Sequence, residues 1–185
     1  MIIHLKQLTR WILILFFLTI VHTNAYSQLQ SLCISGTKDD HEYVDLGLPS
    51  HKEWAIENLS FEFGDKFDAG DRLAVCWTKD PETRFKNPWK EPSKEDFEEL
   101  IENCTWEWTT YNGKEGVKGT GPNGNYIFFP ANFESANIRV GRYWTRTHSP
   151  KFGIEFYAIF FSPLNCVPYL YCDKGDKIMN VRPVF

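Results

Sequence analysis

The amino-acid sequence predicts an α+β domain in which most of the chain forms antiparallel strands. One segment, residues 92–104, carries apolar residues at the i, i+3, i+4 and i+7 spacing of a helix. Many shorter segments alternate apolar with polar residues and are separated by Asn-Gly and Gly-rich turns. Aromatic residues make up 16% of the 185 residues. This combination is typical of several short strands with one or two helices packed on the sheet.

The N-terminal residues 1–27 predict a secretory signal peptide. Lys6 and Arg10 precede an apolar run over 11–21, and small residues occupy positions −3 and −1 of a cleavage site after Ser27. The run is shorter than the roughly 20 residues that a membrane span needs, although an uncleaved anchor is the alternative. We therefore expect an exported protein, secreted, at the cell surface or periplasmic, with no membrane span after cleavage.

The composition divides the remaining chain into a linker and one domain. Residues 28–40 are polar and lack periodicity, which predicts a linker, and residues 41–185 have the length of one domain. The full chain has a net charge of −4, and loss of Lys6 and Arg10 with the signal peptide would make it more acidic. Because nucleic acids and anionic lipids bind basic surfaces, neither is an expected partner.

The first half of the domain predicts short strands followed by a loop region. Strands are expected near 43–48 and 53–63, where apolar residues recur at a period of two. Residues 64–90 are rich in Gly, Asp and Pro, which indicates loops around a short strand at 73–77.

The helix over 92–104 has a start signal and an apolar face. Ser93 is a favourable N-cap, and Asp96 three residues later completes a capping box. Acidic residues fill the first turns, where the helix dipole favours negative charge. The apolar stripe, which must pack on a sheet, contains Phe97, Leu100, Ile101 and Cys104.

The residues after the helix predict a three-stranded antiparallel meander. Trp106 and Trp108 alternate with polar residues, so both should face one side, and we expect that side to be core. An Asn112-Gly113 turn is a strong hairpin signal. A Gly-Pro-Asn-Gly turn then separates the second strand from the third. The three strands are expected at 105–109, 117–120 and 125–130.

The C-terminal part predicts further strands. Residues 142–147 alternate, and residues 154–162 are apolar nearly throughout, which predicts a central strand buried on both faces. Residues 168–172 and 177–185 are expected to form the last two strands, joined by a hairpin turn over 173–176.

Several of these motifs recur, in this order, in one family of exported proteins. They are EYVDLGLPS (42–50), Trp54-Ala55, the segment WKEPSKEDFEELIENCTW (89–106), WTTYNG (108–113), GPNGNYIFFPA (121–131), Tyr143-Trp144 and NVRPV (180–184). Over residues 41–185 the sequence resembles the Fibrobacter succinogenes major paralogous domain, which is widespread in exported proteins of Bacteroidetes. That family is similar in fold to C-type-lectin-like domains, so the resemblance implies a C-type-lectin-like fold.

The resemblance implies a scaffold that displays loops. We therefore expect a non-enzymatic, secreted or cell-surface binding module whose ligand is a carbohydrate or a surface protein. Loops 64–90, 132–141 and 145–153 are expected to carry the binding residues. The candidate ligand-binding residues, at the entrance to the last of these loops, are Tyr143, Trp144, Arg146 and His148. The alternative function is a structural or assembly component of a cell-surface complex.

The chain has five cysteines, and export to an oxidising compartment would permit disulfides. Cys166 and Cys172 flank a short segment with a proline, and we expect either a disulfide between them or two inert thiols. The sulfatase activators that share the lectin-like fold use a cysteine pair near the end of the domain. A formylglycine-generating-like thiol oxidase is therefore a second alternative function. It is disfavoured because no His, Lys or Arg adjoins either thiol.

The acidic loop contains a pattern of carboxylates that is compatible with metal binding. Asp65, Asp68 and Asp71 recur every three residues, and calcium binds clustered carboxylates. A solvated surface loop explains the same pattern, and the Glu-Pro-Asn type of sugar-binding calcium motif is missing from the sequence. We therefore expect no cofactor, with calcium as the alternative.

Overall fold

The structure is a computed structural model that describes residues 34–58, 88–135, 138–150, 155–174 and 179–185. Within these ranges lie ten strands and one helix: β1 (Gly36–Lys38), β2 (His41–Asp45), β3 (Glu53–Ala55), α1 (Lys94–Asn103), β4 (Thr105–Tyr111), β5 (Lys114–Thr120), β6 (Tyr126–Pro130), β7 (Asn132–Ser135), β8 (Ile138–His148), β9 (Glu155–Ser162) and β10 (Asn165–Lys174). Some predictions lie outside the described residues: the signal peptide, the strand at 73–77, the acidic loop with Asp65, Asp68 and Asp71, and the centre of the turn over 173–176.

The described strands form three antiparallel sheets. Their orders are β1-β2-β3, β4-β5-β6 and β10-β9-β8-β7, and each neighbouring pair runs antiparallel. The predicted α+β class is confirmed at this level, with mostly antiparallel sheet and a single short helix among the described residues. None of the described helical segments is long and apolar enough to cross a membrane.

Helix α1 begins and packs as its sequence predicts. The Asp96 N–H donates to Ser93 Oγ at 3.2 Å, and the Ser93 N–H donates to the Asp96 carboxylate at 2.7 Å, which is the reciprocal capping box. Phe97 and Leu100 are fully buried, Cys104 is nearly so, and Ile101 packs beside them. The Lys52 ammonium pairs with the buried Asp96 carboxylate, which holds the residue before β3 against the start of the helix.

The predicted meander is also confirmed. Asn112 and Gly113 both have positive φ, 48° and 76°, as the tight turn between β4 and β5 requires. Trp106 and Trp108 face one side and pack against the core, while Glu107 between them is exposed. Pro130 is the last residue of β6.

Two regions differ from the sequence expectations. The predicted linker 28–40 includes β1, which pairs with β2 through its backbone. A polar strand of three residues is too short to show an alternating pattern, and it therefore could not be predicted. Residues 132–141, expected to be a loop, contain β7 and the start of β8. Their pairing is irregular, with a register shift between Phe133 and Ser135, and such bulges weaken the alternation that predicts a strand.

The C-terminal segment is buried but is not the predicted strand over 177–185. Its described part makes single bridges, from Asn180 to Tyr143 and from Val184 to Trp54 and Lys90. Pro183 has no N–H to donate, which interrupts a continuous ladder.

The core consists of two clusters on opposite sides of the β8–β9 pair. Tyr143 lies opposite Ile159, and the next residue, Trp144, lies opposite Ala158. Tyr143 and Ile159 belong to the large cluster, and Trp144 and Ala158 to the small cluster. The predicted burial on both faces therefore holds for β9 around Ala158 and Ile159, whereas at Phe160 one face is only half-buried. The small cluster comprises Trp144, Phe156, Ala158, Met179 and Val181, with Tyr171 packed against it.

A buried arginine joins the C-terminal segment to the large cluster. Arg182 is 1% exposed, and its guanidinium donates to Asn58 Oδ1 at 2.9 Å and to the carbonyls of Ala55, Ile56 and Phe128. The same group lies 4.9 Å from the centre of the Phe129 ring. Backbone carbonyls and one aromatic face therefore replace the water around this cation.

Candidate functional site

Two of the four predicted binding residues are buried. Tyr143 and Trp144 both have 0% exposure. The Tyr143 hydroxyl donates to the Pro130 carbonyl at 2.9 Å and accepts from the Asn58 amide at 3.2 Å, while Trp144 fills the small cluster. Neither ring has surface available to a ligand, so the predicted binding role is corrected for both. Both residues lie in the middle of β8, four and five residues before it ends at His148, and not at the entrance to the following loop.

The other two predicted residues are exposed near the end of β8. The backbone N–H of Arg146 donates to the Pro92 carbonyl at 2.9 Å, which fixes the strand against the start of α1. The His148 ring lies 3.9 Å from the Phe156 ring, centroid to centroid. The predicted set therefore divides into two core residues and two surface residues and does not form one site.

Of the two alternatives for Cys166 and Cys172, a disulfide or two thiols, the structure has two thiols. Cys166 and Cys172 lie on the same strand, β10, six residues apart, and both are free thiols, as is Cys104. At about 3.3 Å per residue of extended strand, their separation is far beyond disulfide reach. The same separation removes the paired thiols on which the thiol-oxidase alternative depends. Burial raises the pKa of Cys104 to about 11, so that thiol stays protonated and unreactive.

The surface with the composition of a binding site lies on the outer face of β8, β9 and β10. Arg142 pairs in register with Phe160, and Phe160 pairs with Tyr169. Directly opposed residues share one face of a sheet, so these three side chains form a row across three strands. Val167 and Leu164 extend the row along the β9–β10 hairpin. We call these five residues the outer patch.

The side chains of the outer patch contact one another and remain accessible. The Arg142 guanidinium lies 5.4 Å from the centre of the Phe160 ring, and the rings of Phe160 and Tyr169 are 5.4 Å apart at an angle of 47°. Tyr169 is 45% exposed, Val167 47% and Leu164 100%. The row is therefore ordered by its own contacts and by the sheet beneath it, which lowers the entropy cost of binding.

The local sequence explains why these residues point outward. In β10, Cys166 and Leu170 pack against the large cluster, and the intervening Val167 and Tyr169 are exposed. The alternation in NCVPYLYC carried this signal for β10, but the prediction that residues 154–162 are buried on both faces placed Phe160 of β9 in the core. Leu164 lies in the turn between the two strands, where no sheet face covers it.

The small cluster covers one end of the sheet face that carries the outer patch. Tyr171 packs there, and its hydroxyl donates to Met179 Sδ at 3.6 Å. Burial raises the pKa of Tyr171, and the nearby Asp173 carboxylate adds to the effect. The phenol therefore stays neutral, and the buried end of the face continues into the exposed outer patch.

The side chains of the outer patch offer apolar, aromatic and hydrogen-bonding contacts. Its groups are two aromatic rings, two aliphatic side chains and a guanidinium with several N–H donors. Within the described ranges, no group of three His, Cys, Asp or Glu side chains is arranged to hold a metal ion.

Comparisons of the chain with protein-family models, with curated proteins and with solved structures give no match.

Proposed function

We propose that the protein is a non-enzymatic binding module, exported from the cell, that holds a protein partner on its outer patch. The observation that carries the proposal is the row of half-buried Arg142 and Phe160 and exposed Tyr169 on one face of the sheet, with exposed Val167 and Leu164 beside it. The predicted signal peptide supports export. The resemblance to an exported, lectin-like family supports a binding role.

The composition of the outer patch favours a protein as the partner. Tyr, Phe and Arg are enriched at protein interfaces, and the residues that dominate binding energy are most often Trp, Tyr or Arg. Val167 and Leu164 add exposed aliphatic surface, which gains most when it is buried against apolar groups. Because Arg142 already lies over Phe160, the cation is partly ordered before a partner arrives.

The position of β10 favours permanent assembly as a second candidate function. In the described four-stranded sheet β10 is an edge strand, and edge strands offer backbone groups to an added strand. A structural component of a cell-surface complex would use this edge together with the outer patch. The two candidates differ in lifetime, because a binding module releases its partner and an assembly component keeps it.

Affinity purification of the tagged protein from the cells that produce it would test the outer patch. The test variant combines Val167→Asp with Tyr169→Ala. The control is Tyr157→Ala, a half-buried tyrosine of β9 that contacts Lys94 of α1. We expect one protein to be recovered with the wild type and the control, and roughly tenfold less of it with the test variant, since hot-spot losses exceed 1.4 kcal/mol.

Equal recovery with all three proteins, or no partner for the folded wild type, would refute the proposed partner site. Near-ultraviolet circular dichroism would first establish that each variant keeps its packed core. A partner that dissociates on dilution indicates a binding module, and one that stays bound indicates an assembly component.

A further inference from the structure

A second aromatic surface lies on the outer side of the β4-β5-β6 meander. Glu107 pairs in register with Lys118, and Lys118 pairs with Phe128, so these side chains share one face. Tyr111 and Tyr126 lie on the same face, since each is an even number of residues from Glu107 or Phe128 along its strand. We call these five residues the meander face. It is opposite the side that buries Trp106 and Trp108.

Three rings of the meander face form a contiguous group. The centroid of Tyr111 lies 5.4 Å from that of Phe128 and 6.4 Å from that of Tyr126. The corresponding ring planes meet at 42° and 75°, so the rings pack tilted and edge-on against one another, and we call these three rings the cradle. All three are half-buried, in contrast to the fully buried Phe129 of the same strand β6.

A glycine lets the cradle lie close to the sheet. A Cβ at Gly116 would lie 2.8 Å from Cζ of Phe128 and 2.2 Å from the Phe129 carbonyl oxygen. The Phe128 ring thus leans over β5 where a larger residue would displace it.

An ion pair lies beside the rings. Lys118 Nζ is 2.6 Å from Glu107 Oε1, and the Glu107 side chain is 60% exposed. The same ammonium is 5.1 Å from the centre of the Tyr126 ring. The meander face therefore combines aromatic rings with ordered donors and acceptors and carries no net charge from this pair.

We propose that the meander face is a carbohydrate-binding site for neutral oligosaccharides. The C–H faces of a pyranose pack against aromatic rings, and its hydroxyls donate to a carboxylate and accept from an ammonium. The cradle of Tyr111, Tyr126 and Phe128 supplies the rings, and the Glu107–Lys118 pair supplies the polar partners.

The charges decide between a sugar and a protein as the occupant. A protein that covered this face would bury the Glu107–Lys118 pair, and taking a pair of charges out of water costs more than it returns unless each charge finds new hydrogen bonds. A sugar supplies those bonds through its hydroxyls and leaves water around the rim. The two charges of the pair cancel. Lys114, directly opposite Tyr111, adds one cation to the same face, and the hydroxyls of a neutral sugar can accept hydrogen bonds from it. This site is separate from the outer patch, so either proposal can fail without the other.

Isothermal titration calorimetry of the purified protein would test the site with four neutral hexasaccharides. The probes are the β-1,4-linked oligomers of glucose, xylose and mannose and the α-1,4-linked oligomer of glucose. We expect at least one to bind with a Kd of about 1 mM or tighter. Tyr111→Ala and Phe128→Ala should each weaken that binding by roughly tenfold, as loss of a stacking ring does.

Glu107→Gln and Tyr157→Ala complete the experiment. Glu107→Gln keeps the side-chain shape but removes the charge, and we expect severalfold weaker binding, because charge-assisted hydrogen bonds are about twice as strong as neutral ones. Tyr157→Ala lies off the meander face and should bind as the wild type does. Two results would overturn the proposal: no binding of any of the four hexasaccharides by the folded protein, or binding that Tyr111→Ala and Phe128→Ala leave unchanged.

Discussion

The two core clusters, which are separated only by the β8–β9 pair, are built in different ways. The large cluster draws on all three sheets and on helix α1, and its rings contact one another in several directions. Phe129 alone lies within 6.4 Å, centroid to centroid, of Trp54, Phe97, Trp106 and Tyr143. The small cluster has five members, and two of them, Met179 and Val181, come from the C-terminal segment.

This difference shows what the C-terminal segment contributes. Alternate side chains of the segment go to opposite clusters, in the same way that Tyr143 and Trp144 do in β8. Met179 and Val181 enter the small cluster, whereas Arg182 and Val184 contact the large one. The segment forms no named strand, but its backbone exchanges hydrogen bonds with β3, with Lys90 and with β8. These bonds and the side-chain packing on both sides hold it in place. The small cluster consequently depends on the segment, and the large cluster depends on it much less.

The largest expected effect comes from removing one ring from each cluster. Phe129→Ala should lower the free energy of unfolding by about 3–5 kcal/mol, because the cavity would be surrounded by rings held by different elements. Phe156→Ala should cost at least ~1 kcal/mol less, because Phe156 is 7% exposed and the few neighbours of the small cluster can collapse onto the gap. Urea unfolding of both variants measures the difference. Equal losses would mean that the small cluster is packed as rigidly as the large one.

A smaller effect is expected from changing the arginine that joins the segment to the large cluster. Arg182→Lys keeps the charge but loses the planar fork that reaches the carbonyls of Ala55 and Phe128, and we expect it to cost about 2–3 kcal/mol. Arg182→Met tests the charge itself, because it removes the buried cation and keeps an apolar stem.

If the hydrogen bonds from the planar guanidinium to the carbonyls hold the segment, Arg182→Lys and Arg182→Met should lower the free energy of unfolding to a similar extent in urea. If Arg182→Lys matches the wild type, the charge and the Phe129 ring hold the segment, and the carbonyl contacts contribute little.

The sequence predicted the large cluster better than the small one, for a physical reason. The apolar stripe of α1, the capping box at Ser93 and the Asn112-Gly113 turn are local signals, since each depends on residues within one turn or one hairpin. They led to the correct helix, meander and core side of Trp106 and Trp108. The small cluster requires Trp144 to meet Met179 and Val181, which are far away in sequence, and no local pattern encodes that contact.

The predictions of binding residues and of the cysteine pairing also depended on contacts that local sequence patterns do not encode. Tyr143 and Trp144 were predicted to bind a ligand because aromatic residues precede a loop, and only the register between β8 and β9 shows that both are core. The outer patch was missed because Arg142, Phe160 and Tyr169 become neighbours only when three strands align. The sequence left a disulfide and two thiols as alternatives for Cys166 and Cys172, and only the extended strand that carries both residues rules out the disulfide.

The smallest expected effect is a change in how the stability of the protein depends on pH, and it comes from Glu53 at the edge of the large cluster. Glu53 lies beside the buried Trp54, and its Oε2 is buried without a hydrogen-bond partner among the described residues. Burial raises the pKa of Glu53 above its usual value of 4.5, Asp45 directly across the strand pair raises it further, and His51 opposes the shift. The folded protein therefore binds a proton more tightly at this site than the unfolded chain does. The stability that this proton provides is present below about pH 4.5 and is lost as the pH rises through the higher folded-state pKa.

Glu53→Gln removes this titration and should make the protein more stable than the wild type at pH 7, with a gap that shrinks towards pH 4. Urea unfolding at several pH values measures the gap, and Glu102→Gln, at an exposed position of α1, serves as the control. A gap that stays constant with pH would mean that the burial of Glu53 does not oppose its charge. In that event water reaches Glu53 at the edge of the large cluster. The dense packing of the large cluster would then end at Trp54.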